Sequence, residues 1–374
     1  MNIPELELPR VVIIGCGFAG LKLAKKIDGS KYQTVLLDKN NYHTFQPLLY
    51  QVASSGLEPD SIVYPIRKTF KGKKNFFFRI VETQTINTTD KEIVTNKGNI
   101  KYDILVVATG ATSNFFGMEN IEKYTVPMKT LVESLDLRSM IIQNFEEALN
   151  TDDLLERERL MNFVIVGAGP TGVELAGALA ELKSKILPND YPDLDIRRMQ
   201  IHLVEGSDRV LAAMSEESSI KTEKYLKALD INVWLNTRVE DYDGSMVRTN
   251  KKEFQTKTVV WAAGIQGQYP KGLDIEKARA NRIVVDGCNK IQSLDDVYVI
   301  GDVACIKSDK YPEGNPMMAS VAMQQGAHLA KNLNAKAKNK LMTPFVYKDK
   351  GTMATIGRNK AVVDLPFVKF GGLF

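Results

Sequence analysis

An α/β fold built from two Rossmann-like units, the second inserted in the first, is predicted by three features of the sequence. The stretch from Val11, VVIIGCGFAGLKLA, realigns without gaps on the stretch from Phe163, FVIVGAGPTGVELA. Each runs from a β-branched apolar segment through GxGxxG into a helix-like segment, and each is followed by a second apolar run ending in an acid: TVLLD at Asp38 and IHLVE at Glu205. Later, DVYVIGDVA, from Asp296 to Ala304, reads as a buried strand closing on Gly301-Asp302 after the second unit is complete, as a chain returning to the first unit would. A length of 374 residues suits two or three domains at roughly 100 to 200 residues each.

The glycines divide the work of the repeated turn. Gly15 and Gly167 permit the tight exit from the strand, and Gly20 and Gly172 let helix and strand pack closely. Gly17 and Gly169 let the backbone approach a pyrophosphate at the helix N-terminus, where unpaired N–H groups and the helix dipole favour negative charge. Asp38 and Glu205 then accept hydrogen bonds from ribose hydroxyls. A single GxGxxG is as often a structural turn, but two in register with strand, helix and acid make dinucleotide binding the reading for both. Two nucleotides on one chain suggest a flavin enzyme that also takes NAD(P)H.

The remaining elements follow in order. DILVVATGA, Asp103 to Ala111, and KTVVWAAGI, Lys257 to Ile265, occupy equivalent places in the two units, each an apolar strand with a small-residue turn. Thr130 to Leu160 reads as helix and charged connector, with DDLLERERL a solvated run. Gly15 precedes Asp38 by an ordinary 23 residues, whereas Gly167 precedes Glu205 by 38, so the second unit needs an insertion, supplied by the polar Lys185–Arg198 segment. The tail from Thr343 alternates apolar and polar residues between glycine turns and is expected to be a small β-rich C-terminal piece. The expected domains are thus 1–120 with 285–340, 121–284, and the segment 341–374.

Composition excludes several classes. With 44% hydrophobic and 25% charged residues the chain is neither disordered nor collagen-like nor a coiled coil. A net charge of +4, spread along the sequence, leaves no footprint for nucleic acid. Cys16, Cys288 and Cys305 lie far apart with no CxxC pair, so neither a disulfide framework nor a metal site is expected. No secretion signal or run of about 18 apolar residues is present, and a reducing cytosol fits best. No CxxxxC follows the first unit, which removes a redox dithiol.

The order GxGxxG, ATG, GxGxxG, AAG, GD is similar to that of the two-dinucleotide-binding flavoprotein reductases. YHTFQPLLYQVASSG, Tyr42 to Gly56, and GAGPTGVELAGALAE, Gly167 to Glu181, resemble the type II NADH dehydrogenases, single-subunit NADH:quinone oxidoreductases of respiratory chains that pump no protons. The resemblance covers essentially the whole chain. It implies FAD in the first domain, with Gly15, Gly17 and Gly20 at its pyrophosphate, Asp38 at the adenosine ribose, Gly301-Asp302 at the ribityl chain, and Gln46, Pro47, Ala108, Thr109 and Gly110 along the flavin. Asp302 would otherwise be a helix N-cap. NADH is implied as substrate in the second domain, with Gly167, Gly169 and Gly172 at its pyrophosphate, Glu205 at the adenine ribose disfavouring a 2′-phosphate, and Ala263 and Gly264 alongside. Arg209 could soften that preference or be a plain surface arginine. Glu174 is read as the catalytic residue, orienting the nicotinamide carboxamide, against the bland reading of an acid stabilising the first helical turn. Of the histidines, only His43 lies in the flavin-loop signature.

Two departures bear on the acceptor. Family members show approximately AQxAxQQG after the GD strand, and here Ala319 to Gly326 reads ASVAMQQG, so Ser320 stands where the quinone-side Gln is usual, with Gln324 matching. The family also continues into amphipathic membrane-docking helices beyond FVKFGGLF, so a truncated chain, itself soluble, is expected, the full-length protein being peripheral on the cytoplasmic side of the inner membrane. A homodimer is left open. The competing readings are an NADH-dependent reductase of a soluble electron carrier and a flavin- or nucleotide-regulated binding protein.

Overall fold

The structure is a computed structural model and describes every residue except Asp274 and Phe374. The chain forms two compact units, each of three segments: Met1–Thr44, Val63–Thr112 and Ile265–Lys348 in the first, and Phe45–Ile62, Ser113–Gly264 and Asp349–Phe374 in the second. These boundaries differ from the expected ones by a few residues at 113–120 and 341–348, and more widely at three stretches. Residues 45–62 fall in the second unit, residues 265–284 in the first, and residues 349–374 belong to the second unit instead of standing apart.

The first unit opens with strand β1 (Arg10–Ile14), helix α1 (Phe18–Lys26) and strand β2 (Gln33–Asp38), followed by β3 (Phe76–Ile80) and β4 (Ile104–Val107). Val11, Val12, Ile13, Val35, Leu36 and Leu37 have no exposed surface, which fits the unbroken apolar runs, since a parallel sheet is covered on both faces. Helix α1 buries Ala19, Leu23 and Ala24 and carries Lys25 and Lys26 in its last turn, where cations suit the helix dipole.

In the second unit, helix α2 (Leu131–Asn150) starts at a capping box in which Thr130 and Glu133 each satisfy the other's backbone N–H. Strand β5 (Phe163–Val166), helix α3 (Pro170–Lys185), strand β6 (Ile201–Val204), helix α4 (Glu216–Ala228), strand β7 (Ile231–Trp234) and strand β8 (Thr258–Trp261) follow. They build a five-stranded parallel sheet in the order Val126–Pro127, β8, β5, β6, β7. The Lys185–Arg198 insertion is less polar in place than in sequence: Leu187, Tyr191, Leu194 and Ile196 join the core with Phe145 of α2. The DDLLERERL run is likewise not wholly solvated, since it forms a helix, Leu154–Met161, capped by Asp153 and burying Leu160 and Met161.

The chain then completes the first unit with β9 (Arg282–Val284), β10 (Val297–Val299), β11 (Ala304–Cys305) and helix α5 (Ala319–Lys336). Strand β10 adds to β4, giving a parallel sheet in the order β10, β4, β1, β2, β3. Helix α5 packs so closely on α1 that a Cβ on Gly326 would lie 2.3 Å from the Ala19 carbonyl oxygen. Strands β12 (Thr352–Thr355), β13 (Lys360–Asp364) and β14 (Lys369–Leu373) form an antiparallel sheet in the second unit, so the tail is β-rich as expected. Its attachment has no counterpart in the sequence reading. The turn after β12 sits on α3, with the Gly357 N 2.5 Å from where a Gly177 Cβ would be, and Asp364 accepts from the Ser215 N–H and from the hydroxyls of Ser215 and Ser218 at the start of α4.

Candidate functional site

The turn between β1 and α1 is drawn tight by its neighbours. Gly15 has φ +102°, its N–H donates to the Leu37 carbonyl, and a Cβ there would lie 2.4 Å from the Ala108 carbonyl oxygen. Gly20 is equally confined, its Cβ position only 1.9 Å from the Gly15 carbonyl oxygen. Gly17 is the opposite case. A Cβ there would meet no atom within 4 Å, and no side chain caps α1 at this end. The first and third glycines therefore shape the turn, while the second leaves open space beside uncapped helical N–H groups, which is the requirement for a pyrophosphate.

Asp38 closes this turn from the side. Its Oδ2 accepts from the Cys16 N–H at 2.6 Å and its Oδ1 from the Asn40 N–H at 2.8 Å. Each carboxylate oxygen keeps a lone pair for a sugar hydroxyl. Burial raises the Asp38 pKa, against which these two N–H groups and nearby cations pull down. The His43 Nδ1–H donates to the Cys16 carbonyl at 2.8 Å, so the sequence signature around Tyr42 is tied to the glycine turn through its main chain. Burial lowers the His43 pKa, and its ring meets Phe18 edge-on at 5.2 Å. Cys16 is buried and its thiol is pushed far up by that burial, an inert filler of the turn.

Ala108, Thr109 and Gly110 follow β4 beside Gly15, with the Thr109 hydroxyl donating to the Gln268 carbonyl. Gly301 and Asp302 lie in a turn closed by the Ala304 N–H on the Gly301 carbonyl, and no helix starts there, so Asp302 is not an N-cap. The first unit thus brings Gly15, Gly17, Gly20, Asp38, Ala108, Thr109, Gly110, Gly301 and Asp302 into one compact body. Gln46 and Pro47 fall in the second unit, exposed on a one-turn helix, Gln46–Leu48. The uncapped N–H groups, the open direction at Gly17 and the acid with spare lone pairs fit the diphosphate and ribose of FAD.

The second unit repeats the turn in detail. Gly167 has φ +101° with its N–H on the Val204 carbonyl, a Cβ on Gly172 would lie 1.9 Å from the Gly167 carbonyl oxygen, and a Cβ on Gly169 would meet nothing within 4 Å among the described residues. Glu205 accepts from the Ala168 N–H at 2.7 Å and the Ser207 N–H at 2.8 Å, the counterparts of the Asp38 bonds. Arg209 turns back to donate to the Ala212 carbonyl at 2.8 Å. Ala263 and Gly264 follow β8, where the Gly264 carbonyl accepts from Asn114 N–H and Phe116 and Trp261 bring rings alongside.

Glu174 does not occupy the first turn of α3, which holds no acid, so the dipole reading fails. It is instead set among buried neighbours, and burial pushes its pKa up to about 7 although Thr355 donates to it. The Thr355 N–H lies 3.4 Å from Glu174 Oε1, the Thr355 hydroxyl 3.0 Å from the Tyr50 hydroxyl, and Gln51 Nε2 donates to Tyr50 at 3.0 Å. Tyr50 lies inside the Tyr42–Gly56 signature, but nothing in the sequence points to Thr355 or to its contacts with Tyr50 and Glu174, from which it is distant along the chain.

Ser320 and Gln324, expected on the quinone side, lie on α5. The Ser320 hydroxyl is 3.0 Å from the Tyr347 hydroxyl, and the Gln324 amide pairs in both directions with the Lys348 main chain, fixing the segment after the helix. His202 is a satisfied core residue that accepts from Trp234 Nε1, its pKa pushed down to about 4 by burial and Lys252. Among the described residues no cluster of ligands could hold a metal ion.

Two Rossmann units with this turn in each define the class of two-dinucleotide oxidoreductases. Residues 9–326 match the family model described as pyridine nucleotide-disulphide oxidoreductase. Two Mycobacterium tuberculosis proteins, the type II NADH:quinone oxidoreductases Ndh and NdhA, are 31% and 32% identical to the chain over 97% and 98% of its length, which spans 81% and 80% of theirs. A solved structure of NDH2 from Plasmodium falciparum in complex with NADH superposes with a TM-score of 0.91 at 23% identity, covering 97% of this chain and 91% of that one. The chain belongs to the pyridine nucleotide-disulphide oxidoreductase family and, within it, to the type II NADH:quinone oxidoreductases.

Proposed function

We propose that the first unit holds FAD through Gly17, Asp38 and Asp302, and that the second binds NADH through Gly169 and Glu205 with Glu174 at the nicotinamide. The enzyme oxidises NADH and passes the electrons to a quinone without pumping protons. The observation that carries this is the duplicated turn, with an open second glycine and a carboxylate bound to the neighbouring N–H in both units.

FAD, when bound, supplies the two-electron chemistry that accepts hydride from NADH and hands electrons on. In balance, NADH, a proton and the quinone become NAD⁺ and the quinol. The protein's share is position and electrostatics. Uncapped N–H groups at α1 and α3 hold the diphosphates, and the two acids hold ribose hydroxyls. Glu205 meets the 2′ position with negative charge, so a 2′-phosphate is repelled. Glu174, with a pKa of about 7, is divided between its protonated and ionised forms at neutral pH and presents a carboxyl that can donate to or accept from the nicotinamide carboxamide.

Among the described residues no helix is long and apolar enough to cross a membrane. A peripheral place on the cytoplasmic side of the inner membrane suits a quinone reductase, and the turn between β13 and β14 offers an apolar tip, with Phe367 97% and Val368 56% exposed. A homodimer is compatible with the same placement. Steady-state NADH oxidation by the purified yellow protein with a panel of quinones and soluble carriers tests the activity. Rapid bleaching of the flavin with many turnovers on a quinone is expected, and bleaching without turnover on any acceptor would favour a binding role.

A further inference from the structure

The turn that carries Asp302 is gripped at both ends by buried polar side chains that hydride transfer itself does not use. At its entry, the Gly301 N–H donates to Oε1 of Gln325 at 2.7 Å, and Gln325 on α5 has no exposed surface. At its exit, the Ala304 carbonyl accepts from both Nε and Nη2 of Arg282 on β9, and Nη2 also donates to the Asn315 carbonyl at 2.7 Å. Arg282 is 6% exposed. Between these grips the turn is closed by the Ala304 N–H on the Gly301 carbonyl at 2.9 Å and held to β9 by the Ile283 N–H on the Val303 carbonyl at 2.8 Å. Gly301 itself sits at φ +79°, with its Cβ position 3.1 Å from the Ala19 Cβ of α1, so the turn has little room to shift.

Burying a guanidinium without the company of water is costly, and a side chain that only filled space would be apolar at this place. Gln325 carries a smaller cost of the same kind, because its Nε2 is buried with no partner among the described residues, an unmet donor worth roughly 1 to 3 kcal/mol. Both residues are therefore poor choices for packing alone, and what each gains is a directional hold on a main-chain atom one or two residues from Asp302. From this geometry we infer that Arg282 and Gln325 are positioning residues for FAD: they fix the Gly301–Ala304 turn so that the Asp302 carboxylate meets the cofactor's sugar chain without first having to be ordered. Burial lowers the Arg282 pKa while the Asp302 charge opposes the shift, consistent with a cation that also steadies the carboxylate. The inference rests on the reading of Asp302 as an FAD ligand.

The test compares FAD dissociation constants, and the rise in melting temperature on adding FAD to the apoprotein, for Arg282→Met, Arg282→Lys, Gln325→Met and Gln325→Glu, each alone and combined with Asp302→Ala. The two Met variants should bind FAD about ten-fold or more weakly, with a smaller FAD-induced rise in melting temperature. Gln325→Glu keeps the acceptor for the Gly301 N–H and should retain most of the affinity, and Arg282→Lys, which keeps the charge but loses the rigid planar fork, should fall between. In the Asp302→Ala background neither Met change should weaken FAD further, because both act through that carboxylate. A purely structural role would lower apo and holo melting temperatures alike and leave the FAD-induced rise intact, and that result overturns the inference. So do unchanged FAD affinities in the Met variants, or losses fully additive with Asp302→Ala. If Asp302→Ala alone binds FAD as the parent does, the ligand reading of Asp302 fails, and the inference with it.

Discussion

Gly17 and Gly20 stand three residues apart in one motif and call for opposite outcomes on substitution. Gly17→Val fills open space, so the apoprotein should melt close to the parent while FAD is lost on purification. Gly20→Ala drives a methyl into the Gly15 carbonyl and should cost about 1 to 3 kcal/mol or more of apoprotein stability. Stoichiometric flavin in a folded Gly17→Val protein contradicts the site. Glu205 makes the parallel case for the second unit. A like charge at the 2′ position costs several kcal/mol, so kcat/KM should favour NADH over NADPH by about 100-fold or more, and Glu205→Ala should narrow the ratio. Equal values for the two donors in the parent would remove Glu205 as the selector. These residues are legible in sequence because each acts within its own strand-turn-helix, where spacing alone sets geometry. The Tyr50–Thr355–Glu174 arrangement is not, since it forms only through the docking of a distant strand.

At the level of elements, the C-terminal sheet is a fastener for two helices of its unit. The Asp364 carboxylate at the start of α4 is partly desolvated, which alone would raise its pKa, yet the hydroxyls of Ser218 and Ser215 and the Ser215 N–H hold it below the ordinary carboxylate value. Its contribution is therefore complete above that ordinary pKa and is lost as pH falls through the native value. Asp364→Asn should melt earlier than the parent near neutrality and lose this part of the acid sensitivity, as thermal melts from pH 7 down to pH 3 would show. Glu174 has the reverse sign. Its pKa rises from the ordinary 4.5 of a glutamate to about 7 in the folded chain, so its protonated form suits the fold, and the benefit fades as pH climbs from the lower value through the upper one. Glu174→Gln should therefore gain on the parent in alkaline melts, by at most about 3 kcal/mol, and should flatten the limb of the NADH oxidation profile near pH 7. An unchanged profile would remove Glu174 from the reaction. Gly177→Ala tests the fastener itself: with Gly357 so near, the turn must lift, and the Glu174 titration should move with it.

Over the whole chain, alternation and glycine turns announce that the tail is β-structure, but not which unit it joins, because the deciding contacts are single side chains such as Asp364 and the fit of Gly357 on Gly177. The same holds for residues 45–62, whose Ala53 lies in the apolar core of the second unit. Both assignments are tertiary, and no local spacing encodes them. The expected measure at this scale is proteolysis. If residues 349–374 are part of the second unit, NADH should protect the tail from a protease that cleaves after lysine, and cleavage within the tail should weaken NADH binding while FAD stays bound. Loss of FAD before any change in NADH affinity would contradict the assignment.

Because each unit is assembled from three separated segments, the order in which the ribosome delivers the chain does not match the order in which its sheets close. Strands β1 and β2 emerge before the rest of their sheet, but β4 cannot gain its outer neighbour until Val297–Val299 has been made, and the second unit lacks β12, β13 and β14 until the chain has passed residue 352 and beyond. At roughly 5 to 20 residues per second, about 15 to 60 s pass between the delivery of Thr44 and that of Lys348. Until Val297–Val299 is delivered the nascent chain exposes an incomplete parallel sheet edge, and chains stalled short of Val297 should recruit chaperones and retain no flavin, whereas those extended well past Lys348 should capture it while still tethered.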